Sequence, residues 1–344
     1  MKKSLTYDDI QLVPSYSNIS SRNDIKLHTN LSKRYKLRNP IVASPMDTVC
    51  DEDMAYKMFT LGGVGCIHRF NSIEEQVEII KKLHHKIYLD EKSVKEWNGL
   101  VPIMAAIGVS KSDKERATQL VKVGCNVLLI DVAHGHHKNV KKMLKWCKNN
   151  LDEKVDIIAG NIATKEAAQE LESWGADGLR VGIGGGSLCT TRLKTGFGIP
   201  NVSCLEDIIS VAKTPVMADG GIRSSGDISK ALALGASQVM LGSLIAGTDE
   251  APGKILETSR GLYKRYRGSA SLETKVTHGQ QARNVEGEST TIPYKGGVKF
   301  IVNGLLDGIK SALSYGGAET LKDFNPSYVV VTNSGLNESK PHLL

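Results

Sequence analysis

The run VGIGGGSLCTTR, Val181 to Arg192, sets a cysteine, Cys189, among glycines and hydroxyl side chains. Two chemistries suit those residue types. Glycines let backbone N–H groups close on a phosphate, and Gly182, Gly184 and Ser187 come near the GxGxxG spacing of dinucleotide-binding loops. A thiol in such a loop is a nucleophile once it ionises, which nearby donors and positive potential favour. The dinucleotide motif needs a helix to open inside it. The continuation LCTTRLKTGFGIP has β-branched residues, two more glycines and a proline, with no apolar stripe at helical spacing, so it reads as an extended loop. That favours the thiol. A lone cysteine is more often a small buried hydrophobe; the loop setting separates Cys189 from Cys50, Cys66, Cys125, Cys147 and Cys204. None of the six is spaced C-x-x-C, which argues for free thiols rather than disulfides or zinc.

Two further stretches, MADGGIRSSGD and MLGSLIAGT, place glycines where an anion can approach backbone N–H groups. Ser187, Gly221, Gly242 and Ser243 would hold a phosphate there, although glycines at such positions also serve as plain tight turns. Asp219 would repel a phosphate and suits a ribose diol instead, so the ligand takes on the outline of a nucleotide. His134, His136 and His137 lack the accompanying spacing of a zinc site. Asp47 in SPMDTV reads either as a catalytic acid or as the cap of the next helix, while Glu273 and Glu286 would be ordinary solvated charges on most loops.

These groups need a frame. Eight apolar runs of strand length recur, at IVASP (41), GVGCIH (63), VPIMAAIG (101), VLLIDVAHG (127), DIIAGNI (156), GLRVGIGG (178), PVMADGG (215) and QVMLGS (238). Helical stretches such as SIEEQVEIIKKLHHK from 72 and KEAAQELESWG from 165 separate them. Strands buried on both faces and joined by helices imply a parallel sheet, and eight such units are the number that closes a (β/α)8 TIM barrel; a doubly wound open sheet is the alternative. The polar pieces SPMDTV, HRF, DVAHGH, GN, GGGSLC, DGG and GS all follow strands, where barrel active sites lie, whereas the opposite turns carry TLGG, KVGC and SWGA. Residues 261–300 show no sustained period and read as an active-site flap on a single barrel domain spanning 1–344. The helix FIVNGLLDGIKSALSY and a polar tail follow.

The 344 residues carry a net charge of +7, with lysines scattered along helices rather than gathered with aromatics, which excludes a nucleic-acid binder and suits small anions. No apolar run approaches the roughly 18 residues of a membrane span, and MKKSLTYDDIQLVP lacks the apolar core of a secretion signal, so the expectation is a cytoplasmic protein away from membranes.

Taken in order, LTYDDIQLVP, SPMDTV, IHRFNSIEEQ, DVAHGH, IAGN, GGGSLCTTR, DGGIRSSGD, MLGSLIAGT, YRGSAS and PYKG make the chain resemble the inosine-monophosphate dehydrogenase and GMP reductase family over nearly its whole length. The resemblance implies the barrel, a homotetramer, and a Cys189 that attacks purine C2 to form a covalent thioimidate. Family members then diverge. Dehydrogenases oxidise IMP with NAD and hydrolyse the adduct using an Arg-Tyr pair on a long flap; reductases expel ammonia from GMP and accept hydride from NADPH. Dehydrogenases also usually carry paired regulatory CBS modules where this chain has only KIYLDEKSVKEWNGL. The stretch from Tyr266 to Lys295 is short, has no Arg-Tyr pair, and its RNVEGESTTIPYKG resembles the reductase pattern, so the implied reaction is reductive deamination of GMP to IMP with NADPH. The runner-up is a CBS-less dehydrogenase; a non-catalytic nucleotide-binding regulator would have no need of Cys189, Thr191 and Glu286 together.

Carried over by motif, Thr191 and Glu286 protonate the departing amine, and Arg69 stands where many reductases place a lysine beside hydride transfer, so its role would be electrostatic. Ser187, Asp219, Gly221, Gly242, Ser243 and Tyr266 match the ribose-phosphate site. Met46, Gly268, Ser269, Ala270 and Ser271 match the base contacts, and Arg283 and Gly287 fall with the substrate-binding residues. Asp131, Ala133, His134, Gly135, Asn161 and Arg180 fall on the cofactor side, and the carbonyls of Gly184, Gly186 and Cys189 match a K+ site in a loop that reads GGG where the family usually has GPG. Leu272 stands where some reductases have Glu.

Overall fold

The apolar runs form short strands buried on both faces, and in this computed structural model, which describes residues 3–277 and 285–339, eight of them close into one parallel barrel. They are β1 (Ile41–Ala43), β2 (Val64–Ile67), β3 (Met104–Ile107), β4 (Val127–Asp131), β5 (Asp156–Ile162), β6 (Gly178–Val181), β7 (Val216–Asp219) and β8 (Gln238–Leu241). Spatial order follows chain order, and β8 returns to β1 with Val239 opposite Ile41 and Leu241 opposite Ala43, which excludes the open sheet. Ile41, Ile67 and Met104 are fully buried, so the barrel is a packed core rather than a pore.

Amphipathic helices cover it: α1 (Glu52–Leu61), α2 (Ile73–Leu89), α3 (Lys111–Lys122), α4 (Lys138–Asn150) and α5 (Lys165–Ser173). Each starts where the sequence supplies a cap. Ser72 with Glu75 and Ser110 with Asp113 form reciprocal capping boxes that satisfy the first free N–H groups. Asp51, not Asp47, caps α1.

Three departures from the sequence expectations matter. The stretch after Cys189 is not wholly extended: Thr191–Thr195 makes a single helical turn, α6, stopped by Gly196 at φ +75°. It is too short to show an apolar stripe. Two longer helices, α7 (Asn201–Ile209) and α8 (Ser225–Ala233), complete the wrapping of β6 and β7. The flap, too, is more regular than expected. β9 (Leu256–Thr258), β10 (Gly261–Arg267) and β11 (Ser289–Pro293) form an antiparallel sheet with β10 in the middle. Its inward residues are Lys264 and Tyr266, and a lysine facing inward hides the alternation that marks a strand. A short helix, α9 (Leu272–Thr277), leaves β10, and α10 (Val298–Tyr315) leaves β11. The polar tail likewise holds a strand, Tyr328–Val330, paired with Ile10–Leu12 near the other end of the chain.

Candidate active site

The cysteine loop leaves β6 under tight constraint. Gly182 has φ +129°, and a Cβ there would lie 2.1 Å from the Asp219 carbonyl oxygen, so only glycine lets β6 and β7 pass so closely. Arg192 fastens the loop from behind, its Nε donating to the Ile183 carbonyl (2.9 Å) and Nη2 to that of Ile199 (2.8 Å). Asn201 joins it to the next loop by donating to the Gly220 carbonyl at 2.6 Å. Neither residue was singled out from sequence, because a scaffold arginine or asparagine resembles any surface polar residue.

Cys189 is half-buried, and its thiol donates to Thr191 Oγ1 at 3.1 Å; that hydroxyl in turn donates to Glu286 Oε2 at 2.7 Å. α6 places Thr191 here, two residues beyond the thiol. Glu286 arrives from far along the chain because residues 286–288 thread between two walls. Thr190 N–H donates to the Glu286 carbonyl and Glu286 N–H to that of Ala270 (2.9 and 3.1 Å), while Glu288 N–H donates to the Leu188 carbonyl (3.0 Å). Thiol, hydroxyl and carboxylate thus form a continuous path along which a proton can leave sulfur. The other five cysteines are buried, which pushes Cys125, Cys147 and Cys204 up to about 12 and Cys50 and Cys66 well above the ordinary thiol range. As thiols they are inert.

Around this path lies a cavity of about 390 Å³. On one side Ser187 Oγ meets Tyr266 OH at 3.0 Å, and burial raises the Tyr266 phenol above its ordinary range despite that hydrogen bond. Gly221, Gly242 and Ser243 also line the cavity, as do Met46, Gly268, Ser269, Ala270 and Gly287, with Gly287 bridged to Cys189. Asp219 stands at the end of β7. Its Oδ2 accepts from Asn161 Nδ2 (2.7 Å) and from Arg180 Nε (3.0 Å), and Arg180 Nη1 reaches Asp131 Oδ1 at 2.5 Å. Burial disfavours the Arg180 charge, but the carboxylates of Asp219 and Asp131 outweigh it and hold the guanidinium protonated beyond its usual range. Arg69 extends the chain of charges, with Nε 3.5 Å from Asp131 Oδ2 and its guanidinium over the Phe70 ring. At Arg69 and Phe70 the cavity meets a second one of about 1220 Å³ that runs to Ser110 and Arg116. Ala133, Gly184 and Gly186 also line the first cavity, and the Gly186 carbonyl already accepts the Cys189 N–H at 3.0 Å.

Some expected residues are not brought in. Ser271 is buried and spends its hydroxyl on Thr274 at the start of α9. Gly135 backs the site, donating its N–H to the Asn161 carbonyl at 2.7 Å, and His134 lies beside His136 rather than on the cavity wall. Arg283 lies outside the described residues. Asp47 pairs with Arg267, whose Nη2 lies 2.7 Å from its Oδ2, and Glu273 pairs with Arg265 and Arg267 instead of facing solvent alone. Among the described residues no group of three His, Cys, Asp or Glu could hold a metal ion; His136 pairs with Glu170 and His137 caps α4. No described helix is long and apolar enough to cross a membrane. The Arg180 bridge between two carboxylates was not legible, since the arginine and its two partners come from three separate strands.

Comparison with known proteins matches residues 4–342 to the family described as IMP dehydrogenase / GMP reductase domain. An inosine-5′-monophosphate dehydrogenase of Cryptosporidium parvum is 38% identical over 388 residues, covering 99% of this chain and 95% of that protein. A GMP reductase of Streptococcus agalactiae is 38% identical over 331 residues, 95% of each chain. Among solved structures, a cysteine-to-alanine variant of GMP reductase from Trypanosoma brucei in complex with guanosine 5′-monophosphate superposes with a TM-score of 0.91 at 31% identity, covering 100% of this chain and 98% of that one.

Proposed function

The chain belongs to the IMP dehydrogenase / GMP reductase family of oxidoreductases, and within it we propose that this protein is a GMP reductase, converting GMP to IMP and ammonia with NADPH. The line from Cys189 through Thr191 to Glu286 carries the proposal. Sγ attacks C2 of the purine, and the bond from C2 to the exocyclic amine breaks. A neutral amine leaves only when protonated, and the Thr191–Glu286 pair delivers to it the proton that the thiol gives up. When bound on the Asp131 and Arg180 side, the reduced dinucleotide would supply a hydride to C2. Sulfur then departs and takes up one proton, so that GMP, NADPH and a proton give IMP, ammonia and NADP+.

The remaining walls suit these partners. Ser187, Gly221, Gly242, Ser243 and Tyr266 hold the phosphate, Asp219 the ribose diol, and Met46 with Gly268 to Ala270 the base. The side at Asp131, Ala133, Asn161 and Arg180 opens through Arg69 into the larger cavity, so an elongated dinucleotide has room to lie there with Arg69 as a fixed positive charge. K+ would sit on the Gly184, Gly186 and Cys189 carbonyls, sharing the Gly186 oxygen. Residues 261–300 act as the flap of a single barrel domain, and exposed Leu193 and Phe197 beside the site provide apolar surface for a homotetramer.

The second reading, a dehydrogenase without CBS modules, is favoured by the Cryptosporidium relative. Yet that alignment spans 388 positions against 344 residues, so at least 44 of its positions have no counterpart here. The stretch from Tyr266 to Lys295 has no Arg-Tyr pair, which supports a flap without the machinery for hydrolysis. Enzyme mixed with IMP and oxidised dinucleotide separates the two. A reductase loads its thiol, releases one equivalent of reduced dinucleotide and stops, leaving the adduct on the Cys189 peptide for mass spectrometry. Continuous formation of XMP, or no adduct, overturns the proposal.

A further inference from the structure

Behind the site proposed for the phosphate, the turn from Gly242 to Ala251 is clasped by two parts of the flap, strand β10 and the chain just beyond β11. The Ile245 and Ala246 N–H groups both donate to the Gly242 carbonyl (3.2 and 2.9 Å), so the chain coils as soon as β8 ends. Carbonyls farther along that turn are taken by two ammonium groups. Lys295 Nζ donates to the carbonyls of Ser243 (2.6 Å) and Leu244 (3.1 Å), and Lys264 Nζ donates to those of Thr248 (2.9 Å) and Ala251. The backbone follows suit: Lys295 N–H donates to the Gly247 carbonyl (2.9 Å), and Asp249 N–H to that of Gly296 (3.0 Å). Lys264 is only 3% exposed. It lies two residues before Tyr266, so strand alternation puts both on the inner face of β10. Neither lysine lines the cavity, whereas Gly242, Ser243 and Tyr266 do.

We propose that Lys264 and Lys295 are positioning residues that make this turn selective for a phosphorylated ligand, which rests on the assignment of Gly242 and Ser243 to the phosphate. An ammonium on a carbonyl polarises the peptide and strengthens the N–H group at its other end, which for the Ser243 carbonyl is the Leu244 N–H. The Asp249 N–H beyond the Thr248 carbonyl is spent on Gly296 and the Ala251 carbonyl precedes Pro252, so Lys264 acts through its charge. Both ammonium groups set fixed positive charge behind a dianion. Lys295 closes the same chain segment that begins at Glu286, with β11 as the rigid link, so seating the phosphate and seating the carboxylate depend on one element.

Calorimetry with GMP, guanosine and inorganic phosphate, on Lys295→Met, Lys295→Arg and Lys264→Met, tests this. Losing one charge-assisted contact pair should weaken GMP binding by about tenfold in Lys295→Met. Guanosine binding stays unchanged, kcat at saturating GMP is retained while KM rises, and Lys295→Arg restores most of the loss. Lys264→Met should show the same selectivity; exposed Lys295 keeps the test independent of any folding defect at the buried site. Equal losses for GMP and guanosine, or a fall in kcat with KM unchanged, overturn the proposal. Wild-type enzyme that binds guanosine as tightly as GMP would instead refute the phosphate assignment beneath it.

Discussion

Replacing Thr191 by valine removes one oxygen from the proposed proton path and almost nothing else. The residue is 8% exposed and valine has nearly its shape, so α6 should keep its place. Glu286 also stays, because it is held by backbone bonds to Thr190 and Ala270 rather than by the hydroxyl. What is lost is the 2.7 Å hydrogen bond to a carboxylate and the 3.1 Å contact from the thiol. A hydrogen bond to a charged group is worth roughly 1.5–3 kcal/mol, or about 10- to 150-fold in rate if it matters only during reaction. General acid help contributes about 10²- to 10⁴-fold, so the two ranges meet near a hundredfold loss. The expected result is kcat for GMP reduced by about 10², KM unchanged, and partial recovery in Thr191→Ser, followed by ammonia release and by oxidation of reduced dinucleotide. A variant that keeps wild-type kcat, or one that changes only KM, would show that the hydroxyl binds rather than relays.

Other expectations follow from the same geometry. Cys189→Ala should abolish turnover while GMP still binds by calorimetry; residual turnover would refute the covalent route. Arg180→Met leaves Asp131 and Asp219 without their shared cation, and should lower stability by roughly 3–5 kcal/mol in urea titrations and weaken both nucleotide and dinucleotide binding. His84 is held below its ordinary value of 6.5 by burial and by His85. The unfolded chain therefore takes up this proton first as pH falls, so the contribution to stability is present above pH 6.5 and is lost as pH drops from there through the folded value. Melting temperature should fall between neutral and mildly acidic pH, and less steeply in His84→Gln; an identical slope would exclude His84 as the cause.

The barrel was legible because its signal is repeated: each strand is an apolar run, and each polar cluster follows a strand on the same side. Cys189 stood out by its setting instead, as a thiol in a glycine loop. The flap sheet was hidden by Lys264, a charge turned inward whose partners are backbone carbonyls and so leave no trace in residue types. Glu286 could be singled out only by resemblance, since its distance from Thr191 along the chain is bridged by backbone pairing. The buried guanidinium of Arg180 belongs to a third kind. LRVG reads as ordinary strand, and only barrel closure brings β4, β6 and β7 close enough for one arginine to span two carboxylates. His134 and Gly135 do not line the cavity that Asp131 lines, because adjacency in sequence does not carry a residue around the turn with it.

The central claim is that this short flap serves reduction rather than hydrolysis. It is tested by following the near-ultraviolet absorbance of reduced nicotinamide in two mixtures, one of enzyme with GMP and NADPH, the other with IMP, NAD and potassium. The structure and the sequence together predict a steady fall in the first, matched by ammonia, and no sustained rise in the second. A sustained rise in the second with no change in the first would contradict the account.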